Sequence, residues 1–202
     1  MNILQACEVI QRTRGDALLV ATMGAMVAFD ALQAGQPRVS SVPLMGGAPG
    51  LGLGLALACP RQKVIVVDGD ASLLMQLGNL VTVANQGPEN FHHVLICNGT
   101  QFTGLSNLPV PGRGTVDFCA MARAAGYSHA CAFDTLQDFE QALPTLLQQA
   151  GPQFIALHVQ PEPARLSDAS PQQDWSDVQF TRMHHEARAL KNWIDNLHKD
   201  IA

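Results

Sequence analysis

The stretch Val64-Ile65-Val66-Val67-Asp68-Gly69-Asp70-Ala71-Ser72 carries the reading of the fold. Four β-branched apolar residues, Val64 to Val67, make a short buried strand that stops at Asp68-Gly69-Asp70, and a helical pattern follows from Ala71 or Ser72. A second run, His93-Val94-Leu95-Ile96-Cys97, stops as abruptly at Asn98-Gly99-Thr100. Two buried strands joined by a helix make a βαβ unit with parallel strands. In an open parallel sheet ligands bind outside the carboxyl ends of the strands. Asp70 and Asn98, 28 positions apart (98 − 70), are therefore expected to face one crevice.

A carboxylate and a carboxamide at such a crevice are hard oxygen donors of the kind Mg2+ takes, and Mg2+ keeps further positions for water and phosphate oxygens. A helix starting at Ala71 or Ser72 would add free N–H groups and a positive dipole end, which suit a diphosphate. On residue chemistry alone, an aspartate at a helix N-terminus and an Asn-Gly surface turn account for the same residues.

Gly69-Asp70-Ala71, the helix behind it and Asn98 at the end of the next strand resemble the signature of thiamine-diphosphate-dependent enzymes, Gly-Asp-Gly, a spacer and then Asn-Asn. The resemblance implies thiamine diphosphate and Mg2+ as cofactors. It implies Asp70, the Asn98 side chain and the Thr100 carbonyl as metal ligands, with Gly69, Ala71 and Ser72 at the diphosphate. Ala71 replaces the last glycine and Cys97 the first asparagine; the first adds only a methyl, tolerable at negative φ, and the second is not itself a ligand position. Pro43-Leu44-Met45-Gly46-Gly47-Ala48 is similar to the family's Gly-Ser-Met-Gly-x-Ala stretch. That likeness makes Met45 the catalytic-site residue wedged under the bent cofactor, with backbone around Pro43, Met45 and Gly46 holding the aminopyrimidine. Gly24, after the first strand, is the corresponding first-turn contact, through backbone N–H groups and Thr22 because no hydroxyl follows the glycine.

Composition bounds the class. The 202 residues fit one ordinary domain. Charged residues make up 14%, against about 25% in an average domain, which points to surface hidden against another subunit. A formal charge of −5 leaves no basic footprint, so nucleic acid is not an expected partner. Five scattered cysteines without metal-site spacing read as reduced, buried thiols of a cytoplasmic protein. No signal peptide is expected, and the most apolar segment, Leu44 to Cys59, is too short and glycine-rich to span a membrane.

Along the chain, Ile3 to Arg12 reads as a helix with Ile3, Leu4, Cys7 and Ile10 on one face, and Ala17 to Ala21 as the first strand. Ala25 to Ala34 reads as a helix and Val39 to Val42 as a strand. Met45 to Ala58 reads as a helix whose Gly50, Gly52 and Gly54, each costing about 1 kcal/mol relative to Ala, suggest close approach to the sheet or to another chain. The spacing there is G-x-G-x-G, not the G-x-G-x-x-G of a dinucleotide fold, and no acidic residue about 20 positions on closes a ribose site. Thr103 to Val116 reads as a loop beside the crevice. Phe118 to Ala125 and Leu136 to Ala150 read as helices, Ser128 to Ala132 as an edge strand, Gln153 to Val159 as the last strand, and Val178 to Ile201 as a C-terminal helix. The alternation argues for an α/β, three-layer, doubly wound parallel sheet in a single domain, residues 1–165, with a tail and helix over 166–202. The pairs His92-His93 and His184-His185 make poor shared ligands, because neighbours on a strand point to opposite faces.

Among thiamine enzymes, Met45-Gly-Gly-Ala, Gly54-Leu-Ala-Leu-Ala and Asn90-Phe-His-His-Val-Leu resemble the sulfopyruvate and phosphonopyruvate decarboxylases. This implies decarboxylation of a small 2-oxo acid. Thr100-Gln101-Phe102-Thr103 departs from their more polar residues, and Gly104 stands where pyruvate decarboxylases have an acid. The resemblance covers Asp16 to Gln160 and corresponds to the domain that holds diphosphate and Mg2+. The glutamate that acts on the pyrimidine belongs to the other domain, and Glu8 lies in no matching context. A pyrimidine-binding partner subunit is therefore expected, in a dimer or hetero-tetramer. Two alternatives are a degenerate half-domain that assembles without catalysis and a carboligating synthase subunit.

Overall fold

The computed structural model describes residues 1–42, 44–104, 106–163 and 176–199. In chain order the strands are β1 (Leu18–Ala21), β2 (Arg38–Ser40), β3 (Val64–Gly69), β4 (Phe91–Cys97), β5 (Thr100–Gln101), β6 (Leu108–Pro109), β7 (His129–Phe133) and β8 (Gln153–His158). The helices are α1 (Ile3–Thr13), α2 (Met23–Ala31), α3 (Ala48–Ala58), α4 (Asp70–Met75), α5 (Asn79–Gln86), α6 (Phe118–Ala125), α7 (Leu136–Leu146) and α8 (Ser176–Lys199). Six strands form one sheet in the order β2-β1-β3-β4-β8-β7, and every neighbouring pair is parallel.

The inner strands are buried up to their last residues because both faces of the sheet are covered, which is why they read as unbroken apolar runs. Alternate residues feed two cores. Ile65, Val67, Val94, Ile96 and Ile155 pack against α1, α2 and α7, whereas Val64, Val66, Phe91, Leu95 and Phe154 pack against α3, α5 and α6. The expected three-layer doubly wound sheet is the observed one. From β1 the chain first moves outward to β2 and then crosses back over β1 to β3. The β1–β3 boundary is thus the switch point, where crossovers leave to opposite sides and open a crevice at the strand ends.

Local signals set the helix ends. Asn2 and Gln5 form a reciprocal capping box at α1, with hydrogen bonds of 2.9 and 3.0 Å. Asp117 and Thr135 accept from Ala120 N and Asp138 N at the starts of α6 and α7, and Gly126 ends α6 in the left-handed conformation.

Several expectations are corrected. Leu4 is exposed on α1, and Ala6 and Val9 take the core positions instead. Helix α2 begins at Met23, so Met23 and Gly24 form its first turn. Helix α3 begins only at Ala48, leaving Met45 and Gly46 in a turn. The helix expected after Asp70 is two short ones, α4 and α5. The loop after Thr103 folds back, so that β6 pairs antiparallel with β5, Thr100 opposite Pro109.

Helix α8 lies over the β2 edge. Glu186 accepts from Ser40 N at 2.6 Å, an N–H that a sheet edge otherwise leaves free. Arg182 forks onto Asp30 at 2.6 and 2.7 Å and onto Glu186 at 2.9 Å, and Arg38 reaches Asp30 at 2.9 Å. Burial alone would raise the Asp30 carboxyl; Arg182 and Arg38 outweigh it and lower it. Leu190 is buried in the second core, with Trp193 and Ile194 against it. No helix among the described residues is long and apolar enough to cross a membrane.

Candidate functional site

A cavity of about 390 Å3 opens at the carboxyl ends of β1, β3 and β4, on the switch point. Each of these strands, and the turn after β2, ends on a residue that faces it: Thr22 after β1, Met45 after β2, Asp70 after β3 and Asn98 after β4. Of the residues singled out from the sequence, Gly24, Met45, Gly69, Asp70, Ala71, Ser72, Asn98 and Thr100 line this one cavity. Gly46 stands behind the wall, and Pro43 lies outside the described residues.

Asp70 is the first residue of α4 and is 3% exposed. One carboxylate oxygen accepts from Ala71 N at 2.8 Å and the other from Gly99 N at 2.7 Å, which ties the β3 turn to the β4 turn. Burial raises its carboxyl above the usual range, opposed by the N–H groups of Gly99 and Ala71. Asn98 Oδ1 accepts from Thr100 N at 2.8 Å and from Thr100 Oγ1 at 3.1 Å, an Asn turn that fixes the carboxamide at the cavity wall. Thr100 Oγ1 also bonds Thr103 Oγ1.

The Met45 turn is fastened to the floor of the site. Gly46 N donates to Ser72 Oγ at 2.8 Å, and Asn79 Nδ2 donates to Gly46 O at 2.7 Å. Gly46 has φ +82°, and a Cβ there would come within 2.8 Å of Gln76 Cγ, so only glycine fits. Ser72 therefore holds the turn as well as lining the cavity. Thr22 is committed too, donating to Ser41 O at 2.9 Å.

Ala71 is not among the residues with positive φ, so the motif's last position needs no glycine. Cys97 is a neutral thiol: burial, Asp70 and Cys119 all push its pKa up, so it adds no anion beside Asp70. Met23 and Phe102, both on the cavity wall, adopt left-handed φ values of 50° and 51°.

One further group was not legible from the sequence. Asp68 lines the cavity, is fully buried, and has an Oδ2 with no hydrogen bond. It faces His93 Nε2 at 3.8 Å, and His93 Nδ1 meets Tyr127 OH at 3.3 Å. Burial and Asp68 raise the Tyr127 phenol, which stays protonated. Only the register placing Val66 beside His93 brings these side chains onto one face. Among the described residues, no group of three or more His, Cys, Asp or Glu could hold a metal ion.

Comparison with known proteins agrees with this arrangement. Residues 22–157 match the family described as thiamine pyrophosphate enzyme, C-terminal TPP binding domain. The chain is 40% identical over 120 residues to a phosphonopyruvate decarboxylase of Streptomyces viridochromogenes, an alignment covering 59% of this chain and 30% of that one. It is 41% identical over 117 residues to the sulfopyruvate decarboxylase subunit beta of Methanothermobacter thermautotrophicus, covering 58% of this chain and 59% of the relative. The matches thus span under a third of the Streptomyces protein and about three fifths of the archaeal subunit. In fold it is similar to the thiamine diphosphate-dependent 4-hydroxybenzoylformate decarboxylase of Rhodococcus jostii RHA1, with a TM-score of 0.65 and 19% identity over 79% of this chain and 33% of that one. With the domain match running from the Thr22 turn to the end of β8, this chain belongs to the thiamine pyrophosphate enzymes, as their C-terminal TPP-binding domain.

Proposed function

We propose that this chain is the diphosphate- and Mg2+-holding subunit of a thiamine-diphosphate-dependent 2-oxo acid decarboxylase of the phosphonopyruvate or sulfopyruvate kind, completed by a separate pyrimidine-binding chain. The observation that carries the reading is the pair Asp70 and Asn98, brought to one cavity at the switch point of the sheet. Their oxygens, with the Thr100 carbonyl, are an all-oxygen donor set of the kind Mg2+ prefers. A buried carboxylate whose charged form is already disfavoured by burial has most to gain from a cation. Gly69 lines the cavity and a Cβ there would meet nothing within 4 Å, so the wall leaves open space where a diphosphate would lie.

In this reading Asp70 and Asn98 hold the cation, Asn98 giving up its bonds to Thr100 to do so. The Gly24 and Gly69 turns and the walls at Ala71 and Ser72 enclose the diphosphate. Met45, held by the Gly46–Ser72 and Gly46–Asn79 bonds, would support the cofactor, with backbone at Gly46 beside the aminopyrimidine. Bound thiamine diphosphate supplies an electron sink for the carbon that loses CO2.

The partner is supported by the rim. Val27, Met75 and Phe102 line the cavity and are 60%, 54% and 53% exposed, and Leu44 beside Met45 is 58% exposed, an apolar border suited to another chain. Among the described residues the only titratable side chains on the cavity wall are Asp68 and Asp70, so a glutamate for the pyrimidine would come from the partner. The cofactor-holding unit is read as residues 1–165 with 166–202 as tail and helix. All five cysteines are unpaired, which supports a reducing, cytoplasmic setting.

The test is calorimetric titration of thiamine diphosphate and Mg2+ into this chain, alone and with its co-purified pyrimidine-binding partner, followed by assay of CO2 release from 2-oxo acids. Tighter binding with the partner and CO2 release only from the pair are expected. Mg2+-independent binding would remove the ligand assignment, and full turnover by this chain alone would remove the split-site reading.

A further inference from the structure

We infer that Arg113 receives the second anionic group of the substrate, a phosphonate or sulfonate carried at the end remote from the 2-oxo acid. The inference rests on the decarboxylase reading for its substrate, but on the geometry of the β5–β6 excursion for its residue.

Among the described residues the cavity wall carries two carboxylates, Asp68 and Asp70, and no lysine or arginine. That wall offers a substrate with two negative groups no cationic side chain. The excursion after Thr100 supplies one. Val110 N donates to Gly99 O at 3.2 Å, and Arg113 N donates to Val110 O at 3.2 Å, so the turn at the far end of the excursion is folded back onto Gly99. The Arg113 side chain then lies against Gly99: a Cβ on Gly99 would be 3.0 Å from Arg113 Nε and 3.3 Å from its Cγ and Cδ. Gly99 stands between Asn98 and Thr100, both on the cavity wall, and its N–H is the one held by Asp70.

Gly99 has φ +68°, a conformation that favours glycine, and a side chain there would also crowd the Arg113 stem. The Arg113 side chain is exposed and makes no hydrogen bond or ion pair with any described residue. Its guanidinium is a charged fork with all donors free, on a stem packed against the Gly99 turn that joins two residues of the cavity wall. Such a fork binds a tetrahedral oxyanion through two N–H groups at once, which an ammonium does not reproduce. Phosphonate and sulfonate share this chemistry and differ in charge.

Two measurements test it. In the first, the arginine 15Nε–1H resonances of the wild-type chain are followed on adding methylphosphonate, methanesulfonate or acetate, with Arg113 identified by its loss in R113Q. The Arg113 signal should move with the tetrahedral anions more than with acetate. The stronger of the two responses identifies phosphonate or sulfonate, and an unmoved signal overturns the inference whether or not the protein decarboxylates. In the second, the assembled protein is assayed with phosphonopyruvate, sulfopyruvate and pyruvate. R113Q should lower kcat/KM for the anionic substrate relative to pyruvate by about 10- to 100-fold, and R113K should restore only part of it. Equal losses on all substrates would make Arg113 a packing residue and overturn the inference. A wild-type protein with no activity but a responding Arg113 signal would refute the decarboxylase reading and leave the anion site standing.

Discussion

Three glycines of α3 give a prediction whose sign changes along one helix. Gly52 is buried over the sheet, and a Cβ there would be 2.2 Å from Val66 Cγ2 and 3.1 Å from Phe91 Cε2. Val66 is fully buried on β3, a strand paired on both sides, so it has nowhere to retreat. Overpacking of this kind costs about 1–3 kcal/mol, and so severe an overlap belongs at the upper end. Removing a helical glycine returns about 1 kcal/mol, so G52A should lose about 2 kcal/mol net. Gly54 is exposed with nothing within 4 Å, and G54A should gain about 1 kcal/mol. The two variants should differ by about 3 kcal/mol, or by about 6–12 °C in midpoint for a chain of this size. Urea and thermal unfolding of the two purified variants provide the comparison. If G52A proved as stable as G54A, the contact between α3 and the sheet would not be the reason for the glycine. A destabilised G54A would contradict the open space at that position. G50A, whose Cβ would come no nearer than 4.0 Å to Asn79 Oδ1, should behave like G54A.

Other expectations concern the site, the core and the sheet edge. D70N keeps an acceptor for Gly99 N–H and should leave the fold intact. It should weaken Mg2+-dependent cofactor binding by more than the roughly 10- to 100-fold typical of an outer-shell partner; unchanged calorimetric affinity would exclude Asp70 as a ligand. Burial, and secondarily Lys63, lower His92 from the usual 6.5 to about 4, so the native state keeps it neutral while the unfolded chain takes up a proton. Stability due to His92 is therefore complete above about pH 6.5 and falls as the pH drops towards 4, by up to about 3 kcal/mol. H92L should flatten that part of the pH–stability curve, and an unchanged slope would refute the reasoning. R182A breaks the fork to Asp30 and Glu186 and should cost about 1 kcal/mol, the scale of a partly exposed ion-pair cluster. Faster amide exchange in α8 and at Ser40 should accompany it, and unaltered protection at both would show that Arg182 does not hold the helix.

Much of the fold was legible because its signals are local. The runs Val64–Val67 and His93–Cys97 are apolar without alternation, as strands covered on both faces must be, and the Asp and Asn turns that end them mark strand ends. Helix boundaries were less legible. Met45 was read into α3 because the apolar pattern runs through it, whereas bonds from Gly46 to Ser72 and Asn79 hold the segment as a turn. The β5–β6 pairing was read as loop because two-residue strands have no periodicity to detect.

What the sequence determined by itself was the alternation of strand and helix and the convergence of Asp70 and Asn98 on one edge. Parallel connections place every strand's carboxyl end on the same side, so a position at a strand end is a position in space. What only the tertiary structure decided was lateral. The order β2-β1-β3-β4-β8-β7 places the switch point, the β3–β4 register sets Asp68 against His93, and α8 finds the β2 edge through Glu186. The turn at Val110 lays Arg113 over Gly99 in the same way. These contacts join residues whose neighbours in the chain carry no trace of the partner. They form only when the two cores close on both faces of the sheet and fix how far apart the strands, helices and loops lie.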